Sequence, residues 1–245
     1  MNVMERIGIR ILMIMMAVAG GCMPCFCQQG PIRDGLILAR FETVCKKMTD
    51  VKGNYTLGGV MNIIDKAAPA TDMKNVDFLF CKKRDEFYYK LGTTTTINEQ
   101  DAYLYIDYKT KTVMLSQKKE VNYDEGLKQF SGLAAKLRGE DYKVIDKVEG
   151  NNETISLVNE QHISCKLYAV TFDTRSLKIN RLRMRLTNQS DPLRTDNEKT
   201  VDVSISQWDS YADLSKYLTK NKVVRNAGKR WETVNEFKNY RLVKM

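Results

Sequence analysis

Histidine and proline are scarce in this chain, which has one His and four Pro among 245 residues. His162 is the single histidine, so a catalytic Ser–His or Cys–His pair would have to include it. It stands at the start of a predicted strand, where we interpret it as a structural or exposed residue. The sequence contains no GxSxG, HExxH, GxGxxG or Walker motif. Its carboxylates fall mostly in predicted turns, so we expect the protein not to be an enzyme.

Cysteines are few once the first residues are set aside, and Cys45, Cys81 and Cys165 do not form a CxxC motif. With one histidine in the chain, these scattered thiols predict no metal site, and we expect no cofactor. Each cysteine lies in an apolar segment, which favours three small buried side chains. The alternative is one disulfide bridge and one free thiol in an oxidising compartment.

Long hydrophobic runs are also lacking, and the longest apolar stretch, residues 11–19, is about half the length that a membrane-spanning helix needs. It follows Arg6 and Arg10 and precedes small residues, a pattern typical of a bacterial export signal. We expect cleavage near Cys27–Gln28, and lipidation of Cys22 is the alternative. The sequence therefore predicts a periplasmic or outer-membrane-associated protein with residues 1–27 as the signal peptide.

Positive charge exceeds negative charge by nine in the whole chain, and by eight after the predicted signal peptide is removed. This balance favours anionic partners such as a membrane surface or an acidic protein. No nucleic-acid-binding motif is present, so we expect no nucleic-acid partner. We also expect the protein to be a monomer. Hydrophobic residues make up 43% of the chain, which excludes a mostly disordered protein.

The apolar pattern alternates between helical and strand periods along the chain. Apolar residues at helical spacing predict helices over 34–48 and 124–138, and Gly58–Gly59 in the first strand indicates a bulge or sharp curvature. About five strands follow each helix, joined by hairpin turns. The fold class predicted is α+β, mostly β, with one curved antiparallel sheet covered by two main helices. The main domain is expected to span 31–208, followed by a basic C-terminal extension, 209–245, of uncertain structure.

Arg181, Arg183 and Arg185 alternate with apolar residues, so a strand would carry three guanidinium groups on one face. The simpler interpretation is a solvated outer face. The functional interpretation is a basic patch that meets headgroups or an acidic partner.

Several segments together resemble the LolA/LolB-type lipoprotein carrier superfamily. They are the helix over 34–48, the strings NYTLGGVMNII (54–64), DEFYYKLG (85–92) and AYLYIDYKTKTVMLS (102–116), the helix over 124–138, and the strands from 142 to 208. The resemblance implies a half-open β-barrel whose helices cover an apolar cavity that holds lipoprotein acyl chains. It implies neither covalent chemistry nor a cofactor.

We therefore predict an exported carrier that binds a lipophilic ligand or a lipoprotein between the sheet and the helices. From strand and helix parity, the residues predicted to line the cavity are Phe78, Phe80, Leu104, Ile106, Phe130, Ala134, Leu137, Leu182 and Met184. The alternative is a non-catalytic envelope protein with a filled core that docks an acidic partner through its basic surface.

Overall fold

The computed structural model of the protein describes residues 32–49, 54–99, 101–120, 139–188, 191–228 and 230–245. Within these ranges the chain forms fourteen strands, two α-helices and four 3-10 turns. The predicted class, α+β and mostly β, is confirmed. The predicted signal peptide and the predicted helix over 124–138 lie outside the described residues.

The helices are α1 (Ile32–Thr49) and α2 (Lys220–Val223). The strands are β1 (Asn54–Asp65), β2 (Met73–Lys83), β3 (Glu86–Leu91), β4 (Thr94–Asn98), β5 (Tyr103–Asp107), β6 (Thr112–Ser116), β7 (Lys143–Glu149), β8 (Asn152–Val158), β9 (Cys165–Asp173), β10 (Ile179–Leu186), β11 (Lys199–Asp209), β12 (Val224–Asn226), β13 (Trp231–Thr233) and β14 (Arg241–Lys244).

Twelve strands form one sheet in the order β14-β6-β5-β4-β3-β2-β1-β11-β10-β9-β8-β7, and β12 pairs with β13 separately. The order is open, with β14 and β7 at its two ends. The hairpins from β2 to β6 and from β7 to β11 are antiparallel, as predicted. The prediction of an antiparallel sheet was incomplete in one place, because β14 pairs with β6 in parallel.

The chain divides into two compact units. Among the described residues, unit 1 contains 32–49, 60–75, 139–188 and 191–206. Unit 2 contains 54–59, 76–99, 101–120, 207–228 and 230–245. The segment 209–245, predicted from the sequence to be a basic extension, belongs to unit 2.

In unit 1, α1 confirms the predicted helix and buries one side of it. Asp34 lies in the first turn and Lys46 and Lys47 in the last, an arrangement that complements the helix dipole. Phe41 and Val44, two of the apolar residues at helical spacing, are 1% and 0% exposed. The helix therefore owes its position to packing by its second half.

In unit 2, strands β2 to β6 form a meander, and residues 209–245 fold against it. We call these residues the covering segment. The segment begins with a 3-10 turn at Leu214–Lys216. Helix α2, the β12–β13 pair and β14 follow, so the segment is structured along its described length.

Candidate ligand-binding faces

Four strands of unit 1 present one continuous apolar face. The register aligns Ile155, Val170, Leu182 and Val203 in one row. A second row contains Leu157, Tyr168, Met184 and Val201. All eight side chains are at most 7% exposed. We call these eight residues the apolar face of unit 1. The predicted cavity residues Leu182 and Met184 lie next to each other on this face.

Helix α1 is fixed to this side of unit 1 by polar contacts near both ends of its buried part. The Arg40 guanidinium lies 2.7 Å from the Glu153 carboxylate and 5.8 Å from the ring centroid of Phe172. Because Glu153 precedes Ile155 by two residues in β8, it belongs to the same side of the strand. At the other end, the Lys47 ammonium donates a hydrogen bond of 2.6 Å to the Ser176 carbonyl.

The carboxylate of Glu153 is an unusual group for this environment, since the residue is only 2% exposed. Burial raises the pKa of Glu153, and the neighbouring Asp146 carboxyl raises it further, while Arg40 lowers it. Sequence reasoning missed this group. The signal was readable, because Glu153, Ile155 and Leu157 alternate with polar residues and must share a face.

The four predicted cavity residues of unit 2 do not share one face of the sheet. The register aligns Phe80 with Tyr89, Thr96 and Tyr105, whereas Cys81 aligns with Tyr88, Ile97 and Leu104. Phe78 lies with Phe80, and Ile106 lies with Leu104. A single cavity on one side of this sheet therefore cannot be lined by all four side chains.

Leu104 and Ile106 belong to a closely packed hydrophobic core. Both are 0% exposed, and they cluster with Ala212, Val223 and Phe237 of the covering segment. The Tyr217 ring stacks on Tyr88 with centroids 4.9 Å apart. The face of β2 to β6 that carries Leu104 and Ile106 is thus covered by the chain itself.

Phe80 is the centre of an aromatic cluster on the opposite face of unit 2. Its ring centroid lies 5.6 Å from Tyr55, 5.8 Å from Phe87 and 5.9 Å from Tyr89. Phe78 and Phe80 are 7% and 5% exposed. The predicted cavity residue Phe80 is therefore packed closely among other aromatic rings.

The predicted arginine patch lies on one face of β10, opposite Leu182 and Met184, and its charges have partners. Arg181 donates two hydrogen bonds, of 2.8 and 2.6 Å, to Asp202, and Arg183 lies 3.8 Å from the same carboxylate. Arg185 pairs with Glu160. This arrangement largely neutralises the patch, which makes it a poor site for a second anion.

His162 joins a small polar cluster with Glu140 and Ser164. Its Nε2 lies 3.0 Å from a Glu140 oxygen, and its Nδ1 lies 3.2 Å from the Ser164 hydroxyl. Nδ1 also accepts hydrogen bonds from the backbone N–H groups of Ser164 and Cys165, at 3.2 and 3.0 Å. Its lone pair is therefore already engaged, and this histidine is placed to brace the loop before β9 rather than to take a proton from Ser164.

The three described cysteines are buried and unbridged. Burial raises the pKa of Cys45 and of Cys165 to about 12. The sequence left open whether the three cysteines are all free and buried or whether two of them form a disulfide. In the structure all three are free and buried.

The predicted lid residues Phe130, Ala134 and Leu137 lie outside the described residues, as do both candidate cleavage sites. Within the described ranges, no group of three or more His, Cys, Asp or Glu side chains is arranged to hold a metal ion. Among those same residues no helix is long and apolar enough to cross a membrane.

No protein-family model matches the chain, and no curated protein matches it by sequence. Among solved structures, it is similar to an uncharacterized conserved protein from Thermus thermophilus, with 7% identity and a TM-score of 0.41, covering 83% of this chain and 98% of that one. A DUF1329 family protein from Desulfovibrio piger has 9% identity and a TM-score of 0.27, covering 72% and 93% of the two chains. A domain assigned as an outer membrane lipoprotein-sorting protein, from Vibrio parahaemolyticus, has 9% identity and a TM-score of 0.27, covering 76% and 96%.

Proposed function

We propose that this protein is an exported, non-catalytic binding protein that holds a lipophilic ligand against the apolar face of unit 1. The observation that supports the proposal is the pair of aligned rows on β8 to β11, eight side chains without a charge. Burial of an acyl chain on such a surface is favourable by about 0.8 kcal/mol for each methylene group. The resemblance to lipoprotein carriers in the sequence leads to the same kind of ligand.

Helix α1 is the described element that would have to yield to a ligand. Its first half is the less buried one, since Leu36 is 69% exposed and none of the residues 34–40 is buried. Its second half depends on Phe41, Val44 and Cys45 and on the Arg40 and Lys47 contacts. An acyl chain that replaces the packing of Phe41 would displace the helix without breaking any strand pairing. Binding is thus proposed to be a reversible exchange between α1 and the ligand.

The ligand class proposed is a molecule with long acyl chains, of which the lipid-modified N-terminus of a lipoprotein is one example. The predicted export signal in residues 1–27 would place the protein in the periplasm or at the outer membrane. The direct test is native mass spectrometry of the protein isolated from the envelope. A co-purifying lipid or lipopeptide is the expected result, and its absence from intact protein would count against the proposal.

A matched pair of variants tests the location of the ligand. Leu182→Ala changes the apolar face of unit 1, and Leu104→Ala changes the filled core of unit 2, and both side chains are nearly fully buried. Each variant should lose about 2–5 kcal/mol of stability. Only Leu182→Ala should weaken binding of a fluorescent fatty acid, measured at a temperature where both variants are folded. Equal weakening by the two variants would place the ligand elsewhere.

A second candidate is a non-catalytic envelope interaction protein with a filled core. It is favoured by the close packing of Leu104 and Ile106 under the covering segment, which leaves that face no room for a ligand. In this case neither lipid co-purification nor fatty-acid binding is expected.

A further inference from the structure

The excess positive charge of this protein is concentrated in the covering segment. Residues 209–245 include nine Lys or Arg and four Asp or Glu. The three arginines of the patch on unit 1, in contrast, share the two carboxylates of Asp202 and Glu160, so that patch keeps a net charge of only one. The covering segment, which belongs to unit 2, therefore carries a net charge of five, more than half of the excess of the whole chain.

The backbone brings four of the basic residues of unit 2 into one neighbourhood. Asn235 links two of them, because its side chain donates to the Lys222 carbonyl at 3.0 Å while its own carbonyl accepts from the Lys238 N–H. A tight turn then leads to Arg241, whose N–H donates to the Lys111 carbonyl at 2.9 Å. We call Lys111, Lys222, Lys238 and Arg241 the basic surface of unit 2.

These four side chains are exposed, and none forms an ion pair with the described residues. The nearest acidic residue in sequence is the exposed Glu236, so the surface keeps a net positive charge. Other basic residues of the segment are already matched, as Lys220 is by Asp101 and Arg225 by Glu232.

An aromatic cluster supports this surface from below. The Phe237 ring is 0% exposed, and its centroid lies 5.1 Å from Tyr240 and 6.2 Å from Tyr108. Tyr240 and Trp231 are half-buried. Tyr rings are enriched where proteins meet the headgroup region of a bilayer, and Tyr240 directly precedes Arg241 of the basic surface.

We propose that the basic surface of unit 2 binds the anionic phospholipids of a membrane surface. Exposed lysines and an arginine spread over a turn, a helix and a strand suit a plane of headgroups. All four side chains are exposed, whereas a site for a single anion would enclose its ligand. The inference does not depend on the proposed ligand of unit 1.

The test is sedimentation with phosphatidylcholine vesicles that contain or lack phosphatidylglycerol, using the protein as it is isolated after export. We expect binding only to the vesicles with phosphatidylglycerol, and we expect high salt to release it. The arm with phosphatidylcholine alone detects insertion through a lipid anchor. Absence of binding to the anionic vesicles would overturn the inference.

Two variants with equal net charge locate the interaction. The test variant is Lys111→Gln, Lys222→Gln, Lys238→Gln, Arg241→Gln. The control removes four exposed charges of unit 1: Lys74→Gln, Lys143→Gln, Lys147→Gln, Arg175→Gln. Each basic residue near a bilayer contributes about fivefold to the partition constant, so the test variant should bind on the order of several hundredfold more weakly. The control should bind as the native protein does.

Equal losses in the two variants would show a general charge effect and would overturn the assignment. Two soluble anions test the other sources of negative charge. Native protein that binds poly-L-glutamate but not anionic vesicles would identify the surface as a site for acidic proteins. Release from vesicles by millimolar inorganic phosphate at constant ionic strength would identify a phosphate site, and either result would refute the membrane interpretation.

Discussion

Removing Arg40 and removing the charge of Glu153 should have unequal effects, although the two side chains form one ion pair. Glu153 is nearly inaccessible, with a side-chain exposure of 2%, whereas Arg40 is 48% exposed. Arg40→Ala leaves a buried carboxylate without its cation, which typically costs about 3–5 kcal/mol. Glu153→Gln leaves an arginine that water can solvate, so the loss should stay below about 1 kcal/mol.

The pH dependence gives the same prediction an independent check. Burial, and then Asp146, raise the pKa of Glu153 above its value in the unfolded chain. The folded protein therefore binds this proton more readily than the unfolded protein does, and the group favours folding more as the pH falls. In Arg40→Ala the opposing effect of the guanidinium is gone, so part of the lost stability should return between neutral and mildly acidic pH.

Urea unfolding followed by circular dichroism measures these differences. Limited proteolysis within α1 reports whether the helix separates before the sheet unfolds. The double variant Arg40→Ala, Glu153→Gln should be about as stable as Glu153→Gln alone and should lack the recovery at acidic pH. If Glu153→Gln were as damaging as Arg40→Ala, the reasoning from buried charge would be refuted.

Three further outcomes are expected. Because burial raises the pKa of Cys45 and Cys165 to about 12, Ellman's reagent should label neither thiol in the native protein and both in urea; fast native labelling would contradict their burial. Gly92→Ala should lower the stability by about 1–2 kcal/mol, because φ of Gly92 is +52° and the new Cβ would lie 3.0 Å from Val76. Gly35→Ala in α1 should raise the stability by up to about 1 kcal/mol, because alanine favours the helix. Thermal unfolding measures both changes. Deleting residues 209–245 should expose the core of unit 2 and increase binding of a hydrophobic dye; an unchanged signal would show that the segment does not cover that core.

Local patterns in the sequence were sufficient for most of the hairpins and for α1. The turn at Gly150 is one example, because its φ of +60° is readily adopted by glycine and the flanking strands alternate in polarity. The strand β4 was harder to anticipate. Its threonine run lacks the alternation of polar and apolar residues that marks a strand, and only pairing with β3 and β5 shows it to be one.

The candidate site was less predictable. The alternation of side chains shows which residues of one strand share a face, but it does not show which residues of the neighbouring strands lie on that same face. Phe80 and Leu104 each lie in a correctly predicted strand, yet the register places them on opposite faces. The sequence could not show that the Arg181 charge is paired, because its partner Asp202 is 21 residues away in sequence. The covering segment lacked a regular period, because its apolar residues reach the sheet from turns and short elements.

The position of the covering segment also sets an order of events during synthesis. The ribosome completes strands β2 to β6 before it makes residues 209–245, so Leu104 and Ile106 are at first without their cover. Strand β14 can join β6 only after that segment has been made. During synthesis, the incomplete chain thus exposes an apolar surface for a time. Chaperones and quality-control proteases can bind that surface before the covering segment folds onto it.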